Sequence, residues 1–159
     1  MNRRTLIHIV LAIVPVIIVS WLGNTATTPN IPGWYASLAK PWFTPPNWLF
    51  PVAWTLLFAL MAWASFRILQ TPDRTPGRAP ALLAYGLQLA VNVLWSFAFF
   101  AERSPLLGLF VIIPFLALIV ITIRRFQVVD VFAARLLWPY AAWVSYATLL
   151  NAAIWWLNR

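Results

Sequence analysis

Five apolar runs, each about as long as the hydrocarbon core of a bilayer is thick, leave this chain few ways to fold. A helix needs roughly 20 apolar residues to cross that core. The runs cover residues 5–22, 46–68, 80–101, 105–124 and 134–157. Pro72, Asp73, Pro76 and Gly77 break the second from the third, and Glu102-Arg103-Ser104 break the third from the fourth. Run 5–22 follows Arg3-Arg4 and contains Pro15, a tolerated kink. It is longer than the roughly 7–15 apolar residues of a signal peptide, so it reads as a retained helix. The spacing predicts an all-α, integral membrane bundle of five transmembrane helices, one domain over residues 1–159, with 23–45 as a loop over its end. Thr44 is the expected N-cap of the second helix, with Pro45 in its first turn.

Composition agrees, and it excludes much chemistry. Only 9% of residues are charged and mean hydropathy is +0.83, whereas a soluble domain carries roughly 25% charged residues. Cysteine is absent, His8 is the single histidine, and Asp73, Glu102 and Asp130 are the only acids. Thiol chemistry, metal clusters and acid–base pairs therefore lack their residues, and no metal site is expected. The net charge of +8 lies at the ends of the runs, which makes it a topology signal and not a nucleic-acid footprint. With five spans, Arg3, Arg4, Arg67, Arg74, Arg78, Arg124, Arg125 and Arg135 fall on one side, against Lys40, Arg103 and Arg159 on the other. The basic side is expected to be cytoplasmic, and with it the N-terminus. No run carries an ionised group near its middle, which argues against pumps and ion channels.

Polar and aromatic residues inside the runs fall into stripes at helical spacing. Trp54, Phe58, Met61 and Ser65 share a face of the second run, and Gln88, Asn92, Trp95 and Phe99 share one of the third. Tyr140, Trp143, Ala147, Asn151 and Ile154 form the stripe of the fifth. The amides suit hydrogen bonds between helices as well as they suit a pocket. Tryptophan likewise suits either the membrane interface or a flat ligand. Trp21, Trp42, Trp48, Trp155 and Trp156 lie near run ends, as an interfacial belt requires, while Trp54, Trp95 and Trp143 lie deeper. Gly86 and Ala90 are small residues four apart, a pattern that permits close helix packing.

Trp34-Tyr35, Leu38, Lys40-Pro41-Trp42, Pro45-Pro46, Trp48, Pro51, Trp54 and Met61 together resemble the signature of the translocator protein family (TspO/MBR, the tryptophan-rich sensory proteins). Gln88-Leu89, Asn92, Trp95 and Phe99-Phe100 continue it, as do Pro139-Tyr140, Trp143, Ala147, Leu150-Asn151 and Leu157-Asn158. The resemblance implies a five-helix bundle, commonly a homodimer, that binds porphyrins and other tetrapyrroles. In animal members it also implies sterol and drug binding, and in some bacterial members light-dependent porphyrin breakdown. The implied contact residues are Trp42, Pro45, Trp54, Phe58, Met61, Gln88, Asn92, Trp95, Phe99, Trp143, Ala147 and Asn151. Phe58 stands where many members carry tyrosine, and Leu107 replaces a tryptophan of animal relatives. Residues 149–159 lack the tyrosine of the sterol-contact pattern, so sterol binding is not expected. The short basic N-terminal stretch points to a bacterial member and its cell membrane.

The expectation is a membrane tetrapyrrole-binding protein acting as translocator or sensor–regulator. Its pocket would lie among the second, third and fifth spans with loop 23–45 as lid, and propionates would reach Lys40 or Arg103. No cofactor is required; a protoporphyrin-like ring is the ligand, and lipid and a second copy are the partners. Two alternatives stand beside it: breakdown of the ring in light by redox-active Trp54 and Trp143, and a scaffold that senses ligand and signals through a partner. Axial ligation of haem iron by His8 is not expected, because His8 lies at the other end of its span.

Overall fold

The computed structural model describes residues 2–159. It contains five long helices, α1 (Arg3–Thr27), α2 (Leu49–Gln70), α3 (Arg78–Ser96), α4 (Pro105–Val129) and α6 (Trp138–Leu157), and a short α5 (Val131–Leu136). A π-helical turn, Phe97–Ala101, prolongs α3, and there is no strand among the described residues. Four of the long helices are long and apolar enough to cross a membrane. The exception is α6, whose 20 residues span about 30 Å at 1.5 Å per residue. Trp138, Tyr140, Trp143, Tyr146, Trp155 and Trp156 dilute its hydropathy without shortening it.

Local chemistry sets the helix ends. The Asn2 side chain accepts from the Arg4 N–H, and Ser104 accepts from the Leu107 N–H with Pro105 in the first turn. Such oxygens satisfy amides that the first turn leaves unpaired, and proline has none to leave. Gly77, at φ +83°, supplies the left-handed residue that reverses the chain into α3.

Three expectations change. Residues 23–45 are not irregular throughout: α1 runs to Thr27, and a 3₁₀ turn (Thr28–Asn30) and a π turn (Ile31–Tyr35) carry helical geometry onward. Pro29 and Pro32 fall in the first positions of those turns, where a missing N–H costs nothing. Thr25 and Asn30 donate back to the Leu22 and Ala26 carbonyls and tie the segment to α1. Thr44 is not a cap. Its N–H and hydroxyl both go to the Pro41 carbonyl in a turn, and α2 begins later, at Leu49. The fifth span starts at Trp138 instead of 134, because the chain turns at Leu137 and Pro139 opens a new helix.

Packing places α4 centrally, against α3, α5 and α6, while α1 lies across α2 and α3. The main core joins Met61, Ile68, Ile112, Phe115, Phe126 and Tyr140. A second cluster, around Tyr35, Phe99, Phe100, Leu150 and Ile154, closes the end that carries the connection between α1 and α2. Leu11, Leu56, Leu83, Phe110 and Ile113 are exposed on the outside of the bundle. An apolar exterior over a packed interior is what a lipid solvent permits.

Candidate functional site

A cavity of about 990 Å³ lies between α1, α2, α3 and α6. It exists because α2 reaches α6 by ring edges instead of close backbone packing. Trp54 meets Tyr140 at 6.3 Å and Phe50 meets Trp143 at 6.0 Å, both edge-on. Trp54, Phe58, Asn92, Trp95, Trp143 and Ala147 of the expected contact residues line the cavity. These come from all three stripes, so half of the twelve expected residues belong to the wall.

The other six expected residues lie elsewhere. Trp42 is 95% exposed in the connection, with its ring edge on Phe43. Pro45 sits in the same connection and does not reach the cavity. Met61 is fully buried in the main core, where its carbonyl accepts from the Tyr85 hydroxyl. Gln88 is buried and accepts from the Tyr140 hydroxyl at 2.7 Å, and Tyr140 in turn accepts from Asn92 Nδ2 at 3.0 Å. Phe99 stacks on Trp95 at 5.8 Å. Asn151 accepts from Trp95 Nε1 at 3.3 Å and donates to the Pro105 carbonyl at 2.7 Å. Gln88, Phe99 and Asn151 therefore stand directly behind Asn92 and Trp95. They hold wall residues and are not wall themselves.

Residue reasoning missed α1. Ser20, Asn24 and Thr27 lie on the cavity side of that helix, one stripe at i, i+4 and i+7, with Ala12, Val16 and Val19 below them. That polar stripe was visible in the sequence but is hidden in a run that is apolar all round. Gly23 lets α1 approach α3 closely, since a Cβ there would lie 3.2 Å from Ser96 Oγ. No residue of 28–48 reaches the cavity wall. That stretch covers the outer aromatic cluster instead, with Trp34 on Phe99 at 5.5 Å and Tyr35 on Phe100 at 5.8 Å. The backbone N–H and carbonyl of Ala39 pair with the Asn158 side chain, both at 2.9 Å, and Tyr146 donates to the Phe43 carbonyl.

The wall carries no lysine, arginine, histidine, aspartate or glutamate. Lys40 donates to the Ala36 and Leu38 carbonyls and lies 4.9 Å from the Tyr35 ring. Arg103 donates to Asn30 Oδ1 at 3.1 Å. His8 is buried on α1 with Nδ1 unpartnered, outside the cavity. Among the described residues no three acids or histidines gather. The site offers stacking faces, hydroxyls and amides, which are means of binding.

Fold and site together define a multi-pass integral membrane protein with a tryptophan-walled cavity inside its helix bundle. A model of the TspO/MBR family matches residues 11–157, and the chain belongs to that family. It is 37% identical over 158 residues to the "Tryptophan-rich protein TspO" of Chlorobaculum tepidum, covering 99% of each chain. The "Tryptophan-rich sensory protein" of Cereibacter sphaeroides is 39% identical over 74% of this chain and 72% of its own length. The human "Translocator protein" is 32% identical over 77% of this chain and 73% of its own.

Proposed function

We propose that this chain is a tetrapyrrole-binding member of its family, acting as a translocator or sensor–regulator in a bacterial cell membrane, with its N-terminus in the cytoplasm. The observation that carries this reading is a cavity of about 990 Å³ lined by the indoles of Trp54, Trp95 and Trp143, one from each of three helices. Flat aromatic ligands gain both stacking and exclusion of water from such a space. A homodimer fits the same reading: exposed Gly86 on α3 leaves open space where a Cβ would stand, so a second backbone has room to approach.

Titration with protoporphyrin tests it. Tryptophan fluorescence should fall saturably with an apparent Kd of about 1 μM or below, equivalent to about −8 kcal/mol. Linear quenching equal to that of an unrelated membrane protein would remove the tetrapyrrole reading. Light-driven breakdown of the ring is a second reading, supported by two oxidisable indoles, Trp54 and Trp143, that line the same cavity. Phenylalanine keeps a stacking face but is far harder to oxidise. Trp54→Phe or Trp143→Phe should therefore retain affinity within a few-fold and slow photobleaching of bound porphyrin about tenfold, while the exposed Trp156→Phe leaves it unchanged. Equal bleaching rates in all of them would leave a binder or a ligand-sensing scaffold.

A further inference from the structure

The cavity is segregated along its length. Every polar wall residue (Ser20, Asn24, Thr27, Thr55, Asn92 and Ser96) lies in the half towards the α1–α2 connection. The other half is walled by α1 and α2 alone, through Ile9, Ile13, Ala59, Ala62, Trp63 and Phe66, with no hydroxyl, amide or charged side chain among the residues that line it. From residue 58 to 66 that arm runs about 12 Å at 1.5 Å per residue. Its sides face lipid: Ile13 is 43% and Trp63 50% exposed. A macrocycle held among Trp54, Trp95, Trp143 and the polar groups of the first half makes no use of this arm, and a space whose only polar side-chain group is one indole N–H is poorly suited to water.

The second observation is electrical. Of the three cations at the end of the connection, Lys40 and Arg103 are engaged by backbone carbonyls and by Asn30, Arg159 lies over the Trp156 ring, and none lines the wall. A carboxylate drawn inside the wall would lose its hydration and meet no cation, so a free-acid ring binds only with its acids left in water at the mouth, a constraint that an esterified ring does not carry. The hydroxyls and amides of the polar half can serve carbonyl and ester oxygens, which carry no net charge.

We propose, resting on the tetrapyrrole reading, that the ligand is an uncharged ring-and-chain amphiphile. It is a flat macrocycle whose acid groups are esterified, one of them with a long aliphatic chain. The ring occupies the aromatic, polar half. The chain runs down the arm between α1 and α2, which it reaches sideways from the bilayer.

Three probes at matched mole fraction in detergent test this by fluorescence quenching: protoporphyrin as the free diacid, its dimethyl ester, and a mono-hexadecyl, mono-methyl ester. In the wild type the dimethyl ester should bind at least as tightly as the diacid. Ala59→Phe, which fills the arm, should weaken the hexadecyl ester about tenfold and leave the dimethyl ester within twofold. Because wild type and variant share one detergent reference, partitioning of the chain cancels. Retained dimethyl ester binding certifies that the variant is folded, and Ala62→Phe repeats the test from a second position. A diacid that binds tenfold tighter than its dimethyl ester overturns the proposal, as does an arm-filling variant that weakens both esters alike or neither. Either result leaves the tetrapyrrole reading standing. Failure of all three probes to quench saturably removes that reading, and the proposal with it.

Discussion

Tyr140 decides more of the interior than its neighbours do. Its hydroxyl accepts from Asn92 Nδ2 and donates to Gln88 Oε1, so one oxygen links two amide side chains of α3. Tyr140→Phe would strand both, and buried polar groups left unpaired cost about 1–2 kcal/mol inside a membrane protein. The melting temperature in detergent should fall, and Asn92, freed from its partner, should alter affinity at the cavity wall. Gly108 is as exacting for a different reason. A Cβ there would lie 2.7 Å from both Asn151 Oδ1 and Phe99 Cδ2. Gly108→Ala must push α4 away from the pair that positions Trp95, so stability and ligand affinity should drop together, by about 1–3 kcal/mol of overpacking in a thermal unfolding assay. The sequence stripes located Asn92, Trp95 and Gln88 on one face, yet could not say which would touch ligand. On a helix face adjacent positions differ only in depth, and depth is set by where the next helix lies. That is why Met61 and Asn151 proved to be behind the wall and Phe58 on it.

At the scale of elements, helix existence was legible because lipid tolerates only long apolar runs with internally paired backbones. Helix ends were not, because Pro29, Pro32 and Pro139 each sit where a helix can absorb them as well as stop. The junction of α4 and α5 is fixed by Asp130. Its carboxylate accepts from the Ala133 N–H at 2.9 Å and pairs with Arg67 at 2.8 Å, and the guanidinium lies over Phe132. Burial alone would raise its pKa, but those hydrogen bonds and the neighbouring charge outweigh it and hold the carboxyl below its usual value of 3.8. A lowered folded pKa contributes stability that is complete above the unfolded value and is lost as pH falls through the folded one. Asp130→Asn should therefore cost about 0.5–1 kcal/mol at pH 7, given that Arg67 is partly exposed. The gap between variant and wild type should close only below about pH 4, as thermal melts across pH can verify. The connection is held by a different device, the paired hydrogen bonds between Asn158 and Ala39. Asn158→Ala should expose residues 38–44 to proteolysis and speed amide exchange there, while leaving the helices intact.

For the whole molecule, the charge distribution makes an orientation testable. Eight arginines lie at the end shared by the N-terminus, the α2–α3 turn and α5, and the remaining three basic residues, Lys40, Arg103 and Arg159, lie at the other. Reporter fusions active on one side only should place the N-terminus in the cytoplasm and the C-terminus outside it. A C-terminal reporter active in the cytoplasm would reverse the assignment. The participation of α1 in the cavity was the least legible feature of the chain. A helix that is apolar on every side gives no periodic signal of which face turns inward, and only Ser20, Asn24 and Thr27 hint at it. Mechanically, α1 is a beam fastened near both ends. Arg4 pairs with Asp73 at 3.3 Å, Gly23 is set against Ser96, and the helical extension ends with Tyr35 wedged among Phe99 and Phe100. Between those fastenings lies Pro15, where the ladder of backbone hydrogen bonds is missing a rung. A beam held at both ends and notched in the middle yields by bowing, not by swinging. The gap to α2 can therefore widen towards lipid while the aromatic cap at one end and the α2–α3 turn at the other keep their places.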